Sequence, residues 1–235
     1  VSQNMSVATQ RHDAKLKKIT YLAFSCLVFI LPLLGICFLI RSSEMLNIFG
    51  YRGEALTQAI TTMSVAVIGS YWLAHNLFKE TGLTRKLLGI ESNRLVGAYS
   101  VTILMGLALG LYWLINDLKQ AADLSETSIA VMEFPLVLIG SYGLITFSQR
   151  VRMYRVRLIS EKRITPISDR LSSFVLMLTL ATGLAGPISA AIGYSNIGSK
   201  LVFATILTLA VIFALFVIFT LIAFLFSEII IKNKN

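Results

Sequence analysis

Seven basic residues fall in one stretch, Arg150, Arg152, Arg155, Arg157, Lys162, Arg163 and Arg170, interleaved with Val151, Met153, Tyr154, Val156, Leu158 and Ile159. On a helix this pattern gives a cationic surface with an apolar stripe, the combination that settles in a lipid headgroup layer. Each basic side chain near an anionic surface contributes on the order of 1 kcal/mol. The chemistry expected of Arg150, Arg152, Arg155, Arg157, Lys162 and Arg163 is therefore attachment to anionic lipid headgroups. The plainer alternative is a connection that fixes topology and does nothing more.

Other reactive residue types are sparse. Glu133 is the deepest acidic residue in the apolar sequence, about one turn into its segment, and Asp117 and Glu228 stand at segment ends. A charge at the centre of a bilayer costs roughly 2.5–3.5 kcal/mol, so chains retain one only for a relay, an ion site or a substrate. The absence of a central charge argues against an ion-coupled pump. His75 has no Cys, Asp or Glu at ligand spacing, and His12 lies in the polar tail. Cys26 and Cys37 sit about three helical turns apart, too far along one helix to pair. Neither a phosphate-binding glycine loop nor a nucleophile with a partnering base is evident. The expectation is no catalysis, no cofactor and no metal.

The elements that must carry these residues are membrane helices. A hydrocarbon core roughly 30 Å thick takes about 20 apolar helical residues to cross. Runs of that length occur at about 19–40, 56–78, 95–116, 129–148, 171–193 and 200–228. Of the 21 Lys and Arg, 17 fall in the N-terminal tail, the second and fourth connections and the C-terminal end, while Arg41, Arg52, Lys119 and Lys200 fall in the others. That bias predicts a cytoplasmic location for both ends. The fold class expected is all-α: a polytopic protein of six transmembrane helices arranged as three antiparallel hairpins, 19–78, 95–148 and 171–228, within a membrane domain at 19–231. A polar cytoplasmic tail (1–18) precedes it, a basic cytoplasmic loop (149–170) interrupts it and a short cytoplasmic end (232–235) follows. A chain that opens on Val1 and stops just past a span is expected to be a piece of a longer protein.

Composition agrees: 56% hydrophobic and 14% charged leaves too little polar sequence for a soluble enzyme domain. The net charge of +9 would suggest nucleic acid in a soluble protein, but here the basic residues flank apolar spans, so the expected partner is lipid and not nucleic acid.

Small residues and prolines mark where helices approach or bend. Gly106 with Gly110, and Gly140 with Gly143, predict close helix packing. Pro32, Pro135 and Pro187 lie inside spans one, four and five, where each removes a backbone donor and can kink its helix. Gly50 and Gly53 are expected to break the first outer connection, and Ser125 to cap the fourth helix. The segment from Tyr194 to Ser199 is expected to form the tight last outer turn.

Several segments resemble one family. Tyr71-Trp72-Leu73-Ala74, Leu77-Phe78 and Arg85-Lys86-Leu87-Leu88-Gly89-Ile90 are similar to the entry of the second hairpin in the large, multi-span MscS-type mechanosensitive channels. Phe134-Pro135-Leu136-Val137-Leu138 resembles their fourth span, and Ile192-Gly193-Tyr194-Ser195-Asn196 with the apolar helix from Leu201 resembles their glycine-tyrosine hairpin. The likeness runs from about residue 55 to 228. It implies a bacterial inner membrane protein, assembled as a heptamer, whose present portion is the peripheral tension-sensing region ahead of the pore helix and cytoplasmic vestibule. Two other classes remain open: a membrane input or anchor module of a signalling protein, and a small carrier or permease subunit, which the Gly183 to Pro187 break would suit.

Overall fold

In an apolar solvent every backbone N–H and C=O must be satisfied within the chain, and runs of Leu, Ile, Val, Phe and Ala meet that demand as helices. The computed structural model describes residues 27–43, 45, 50–78, 96–121, 125–160 and 166–232, and the described residues are helical apart from short connections. We label the helices α1 (Leu27–Ser43), α2 (Gly50–Phe78), α3 (Val96–Ala121), α4 (Glu126–Ser160), α5 (Pro166–Ala191) and α6 (Ser195–Lys232). Four of them are long and apolar enough to cross a membrane, over Gly97–Lys119, Glu126–Met153, Ser172–Ala191 and Ser195–Thr220. The chain is thus an all-helical, multi-pass membrane protein by length and composition.

The first two helices differ from these four for identifiable reasons. Only 17 residues of α1 lie within its described extent. Helix α2 has 29 residues, but Thr57, Thr61, Thr62, Ser64 and Ser70 dilute its apolar character. Those hydroxyls are largely turned back on their own helix: Thr61 donates to the Thr57 carbonyl at 2.8 Å, Ser64 to Ile60 at 2.6 Å and Ser70 to Val67 at 2.8 Å. A hydroxyl satisfied in this way can sit in an apolar layer at little cost.

Consecutive helices from α2 to α6 pack in order, and α6 folds back to touch α4, α2 and α3. The most extensive contact is between α2 and α3, which the sequence assigns to different hairpins. The buried cluster draws mainly on four helices: Ala74 and Phe78 from α2, Met105 and Leu109 from α3, Val137, Leu144 and Phe147 from α4, and Val202, Phe203 and Ile206 from α6. Helix α5 adds Ala190 to it.

Local signals explain most of the helix ends. The Ser125 hydroxyl accepts from the Ser128 N–H at 3.2 Å and its carbonyl from Ile129 at 3.1 Å, so Ser125 is the N-cap of α4, as expected. Pro166 opens α5, where its missing N–H would have had no helical partner. The last outer turn falls earlier than expected. Gly193 has φ of 105°, its N–H bonds the Ala190 carbonyl at 3.2 Å, and the Tyr194 N–H bonds Ser189 at 2.9 Å. This pair of bonds around a left-handed glycine is a Schellman motif, so Ile192 to Tyr194 make the turn and Ser195 to Ser199 already form the first turn of α6. Two further expectations are corrected. Gly50 and Gly53 do not break the chain: α2 starts at Gly50 and runs through a buried Gly53, tertiary burial outweighing a helix penalty of about 1 kcal/mol. Nor is 149–170 a loop throughout, because α4 continues to Ser160 and α5 begins at Pro166.

Candidate functional site

The antiparallel order puts Gly97, Phe78, Phe147 and Arg150 at one end of the bundle and Asn116, Asp117, Glu126 and Ser195 at the other. At the first end, three rings seal the core: Phe147 meets Phe78 edge-on at 6.1 Å and Phe213 at 5.5 Å. Beyond them, a Cβ at Gly97 would fall on the Arg150 guanidinium, so this arginine turns inward across the start of α3. Arg152 and Met153 are exposed. Of the expected lipid-binding set, then, Arg150 packs against α3 and Arg152 faces outward, while the side chains of Arg155 and Arg157, and Lys162 and Arg163 entirely, lie outside the described residues. His75 stands near this end with its ring 6.2 Å from that of Tyr71.

The four glycines are spread over three neighbours. A Cβ on Gly106 would overlap the Ser70 hydroxyl, and one on Gly110 would stand 3.1 Å from the Met63 carbonyl, so both admit the backbone of α2. Gly140 instead faces α6, 2.9 Å from Val202, and Gly143 faces Met105 of α3. The apparent single patch on α4 therefore serves two different helices. Pro32, Pro135 and Pro187 each lie inside a continuous helix. Next to Pro187, Gly186 and Gly183 bring α5 onto Val202 and onto the Ser141 to Ile145 stretch of α4, where the Ser141 hydroxyl is buried without a hydrogen-bond partner.

Two cavities among the described residues bear on function. One, of about 230 Å³, is an apolar groove between α2, α3 and α6, lined among others by Val65, Gly69, Gly106, Leu109, Trp113 and Ala210. The other, of about 120 Å³, is polar and lies at the end opposite the aromatic seal, where Asn116, Lys119, Glu126, Glu133, Ser195 and Asn196 converge from α3, α4 and α6. Glu133 is only 6% exposed, and Asn116 donates its amide both to Glu133 at 3.4 Å and to the Tyr112 carbonyl at 3.0 Å. One residue further along α3, Asp117 accepts from the Thr62 hydroxyl of α2 at 2.6 Å. The Tyr112 ring stacks on Phe203 at 4.1 Å with its hydroxyl beside Ser199 and Asn116, tying α6 to the same region.

This polar cluster is what the sequence reading overlooked. In a linear reading Asp117 registers as a span end and Glu133 as about one turn into its span; a sign was there in the pairing of Asn116-Asp117 near the end of one span with Glu133 near the start of the next, which an antiparallel pair must bring level. Among the described residues no group of three or more His, Cys, Asp or Glu could hold a metal ion. What the site can offer is one buried carboxylate, amide groups and a hydroxyl. Comparison with protein-family profiles, with characterised proteins and with solved structures finds no match.

Proposed function

We propose that this chain is a non-conducting, lipid-embedded module that responds to the state of the bilayer, the role of the peripheral spans in the MscS-type channels that it resembles. The observation carrying this reading is the contrast between an apolar core without ionisable groups and an apolar periphery left exposed. The core between α2, α3, α4 and α6 is built from Met105, Leu109, Val137, Leu144, Phe147, Val202 and Ile206, with no ionisable group among those residues, and the groove beside it is apolar. The outward faces carry large exposed apolar side chains, including Phe38 on α1, Met177 on α5 and Phe219 on α6. Helices so exposed adjust tilt and spacing to bilayer thickness. In this reading all six helices cross a bacterial inner membrane, both ends are cytoplasmic, Arg152 and the basic residues beyond it hold α4 at anionic headgroups, and the assembly is homo-oligomeric.

The test uses the exposed Cys37 of α1 as one spin-label site and Ile197→Cys at the start of α6 as the other, with Cys26 replaced by Ser. The distance between labels should shift as the protein is moved through vesicles of increasing acyl-chain length. A fixed distance across the series would refute bilayer sensing. Liposomes holding the chain alone should give no tension-gated current steps. Labelling of Arg170→Cys from outside intact cells would overturn the orientation.

A small carrier subunit is the second reading, favoured by the buried Glu133 in its polar pocket. Solute uptake by vesicles containing the chain alone would select it over the first.

A further inference from the structure

A carboxylate has about four lone-pair positions to satisfy, and taking it out of water is tolerated when a cation or several donors replace the lost hydration. Glu133 has neither in this structure. It is 94% shielded, its hydrogen bond from Asn116 is long at 3.4 Å, and the one ammonium lining the same cavity, Lys119, stands instead 3.8 Å from the exposed Glu126 at the rim. The carboxylate therefore borders a polar cavity with one long hydrogen bond and no cation on it.

We propose that this cavity binds a small protonated amine, with Glu133 as its counter-ion. The ammonium would donate to Glu133 and to the oxygens of Asn116, Asn196 and Ser195, which line the same space. The Asn116 amide nitrogen is already committed to Glu133 and to the Tyr112 carbonyl, leaving its oxygen as the free acceptor. Size and ligand type disfavour a bare metal ion. The cavity, about 120 Å³, is several times what one water needs and so accommodates an ammonium with a short carbon stem. Hard metal cations are held best by several anionic oxygens at once, and among the described residues no group of three or more His, Cys, Asp or Glu could hold one. The site lies at the end with few basic residues, which favours approach of a cation from that side. This inference is independent of bilayer sensing, since binding requires no motion and no transport.

The experiment is thermal unfolding of the whole chain in lipid nanodiscs, with ethylammonium chloride titrated against sodium chloride at equal ionic strength. Ethylammonium should raise the midpoint saturably and sodium should not. Glu133→Gln should weaken the response at least tenfold while leaving the unliganded midpoint unchanged or higher, because the amide oxygen can keep the one long hydrogen bond from Asn116 and is easier to bury than a carboxylate. A lower unliganded midpoint with the response intact would make Glu133 a structural partner of Asn116 and overturn the proposal. An equal rise with sodium would overturn it in favour of an inorganic cation, and that comparison on the native protein decides even where the variant does not fold. A glycine arm identifies the source of the amine: a tighter response than ethylammonium points to an amino acid whose carboxylate meets Lys119, and a weaker one to a simple alkylamine.

Discussion

The two ends of the bundle handle charge in opposite ways. At the end bearing Arg150 and Arg152, the core is closed by the rings of Phe78, Phe147 and Phe213, and the charges sit on or beyond that seal. At the other end, few basic residues gather, yet a carboxylate is carried inside the packed helices. Many charges in the headgroup layer remain hydrated and individually weak, whereas one charge beneath it must be met by specific partners. The abundant charges therefore suit the proposed contact with headgroups, and the single buried one suits the proposed recognition of a cation.

The sharpest way to break this contrast is at the aromatic seal. Phe147→Ala should destabilise the protein by about 3 kcal/mol, near the low end for a buried Phe in a soluble core, because lipid removes the hydration term and leaves the lost packing. Denaturant unfolding in mixed micelles would measure it, and a loss under about 1 kcal/mol would mean that the rings do not close the core. Next in size, Asn116→Leu should cost about 2 kcal/mol by stripping Glu133 of its donor. Pairing it with Glu133→Gln should recover part of that loss, and simple additivity would show that the two side chains are uncoupled.

A smaller effect, about 1 kcal/mol, is expected for Thr62→Val, which removes the hydroxyl donated to Asp117 across the α2–α3 contact. The same unfolding assay applies, with Ser64→Ala as a comparison whose hydroxyl bonds only within its own helix. The smallest effect belongs to the basic end. Arg152→Gln should leave unfolding unchanged and weaken association of the purified protein with anionic vesicles by on the order of 1 kcal/mol, a difference that fades as salt is raised. An effect on unfolding as large as that of Asn116→Leu would erase the distinction between the ends.

Part of this was legible in the linear sequence. The apolar runs and the 17-to-4 division of basic residues set the helices, their alternation and the ends at which charge collects, and Ser125 announced the start of α4. Span boundaries were less accurate at the outer turn and in 149–170, where Gly193 and the continuation of α4 moved them by several residues.

What the sequence determined by itself is position along the membrane normal, because hydropathy and charge respond to depth whatever the neighbours are. Tertiary structure alone decided which side of each helix faces inward. In a soluble helix, polarity distinguishes core from solvent; in lipid both faces are apolar, so the pattern that would reveal the inward face is largely missing. That is why Gly140 and Gly143 could be read as one patch although they meet α6 and α3 respectively. It is also why Glu133 could be placed about one turn into its span with no partner assigned to it, although three helices converge to enclose it.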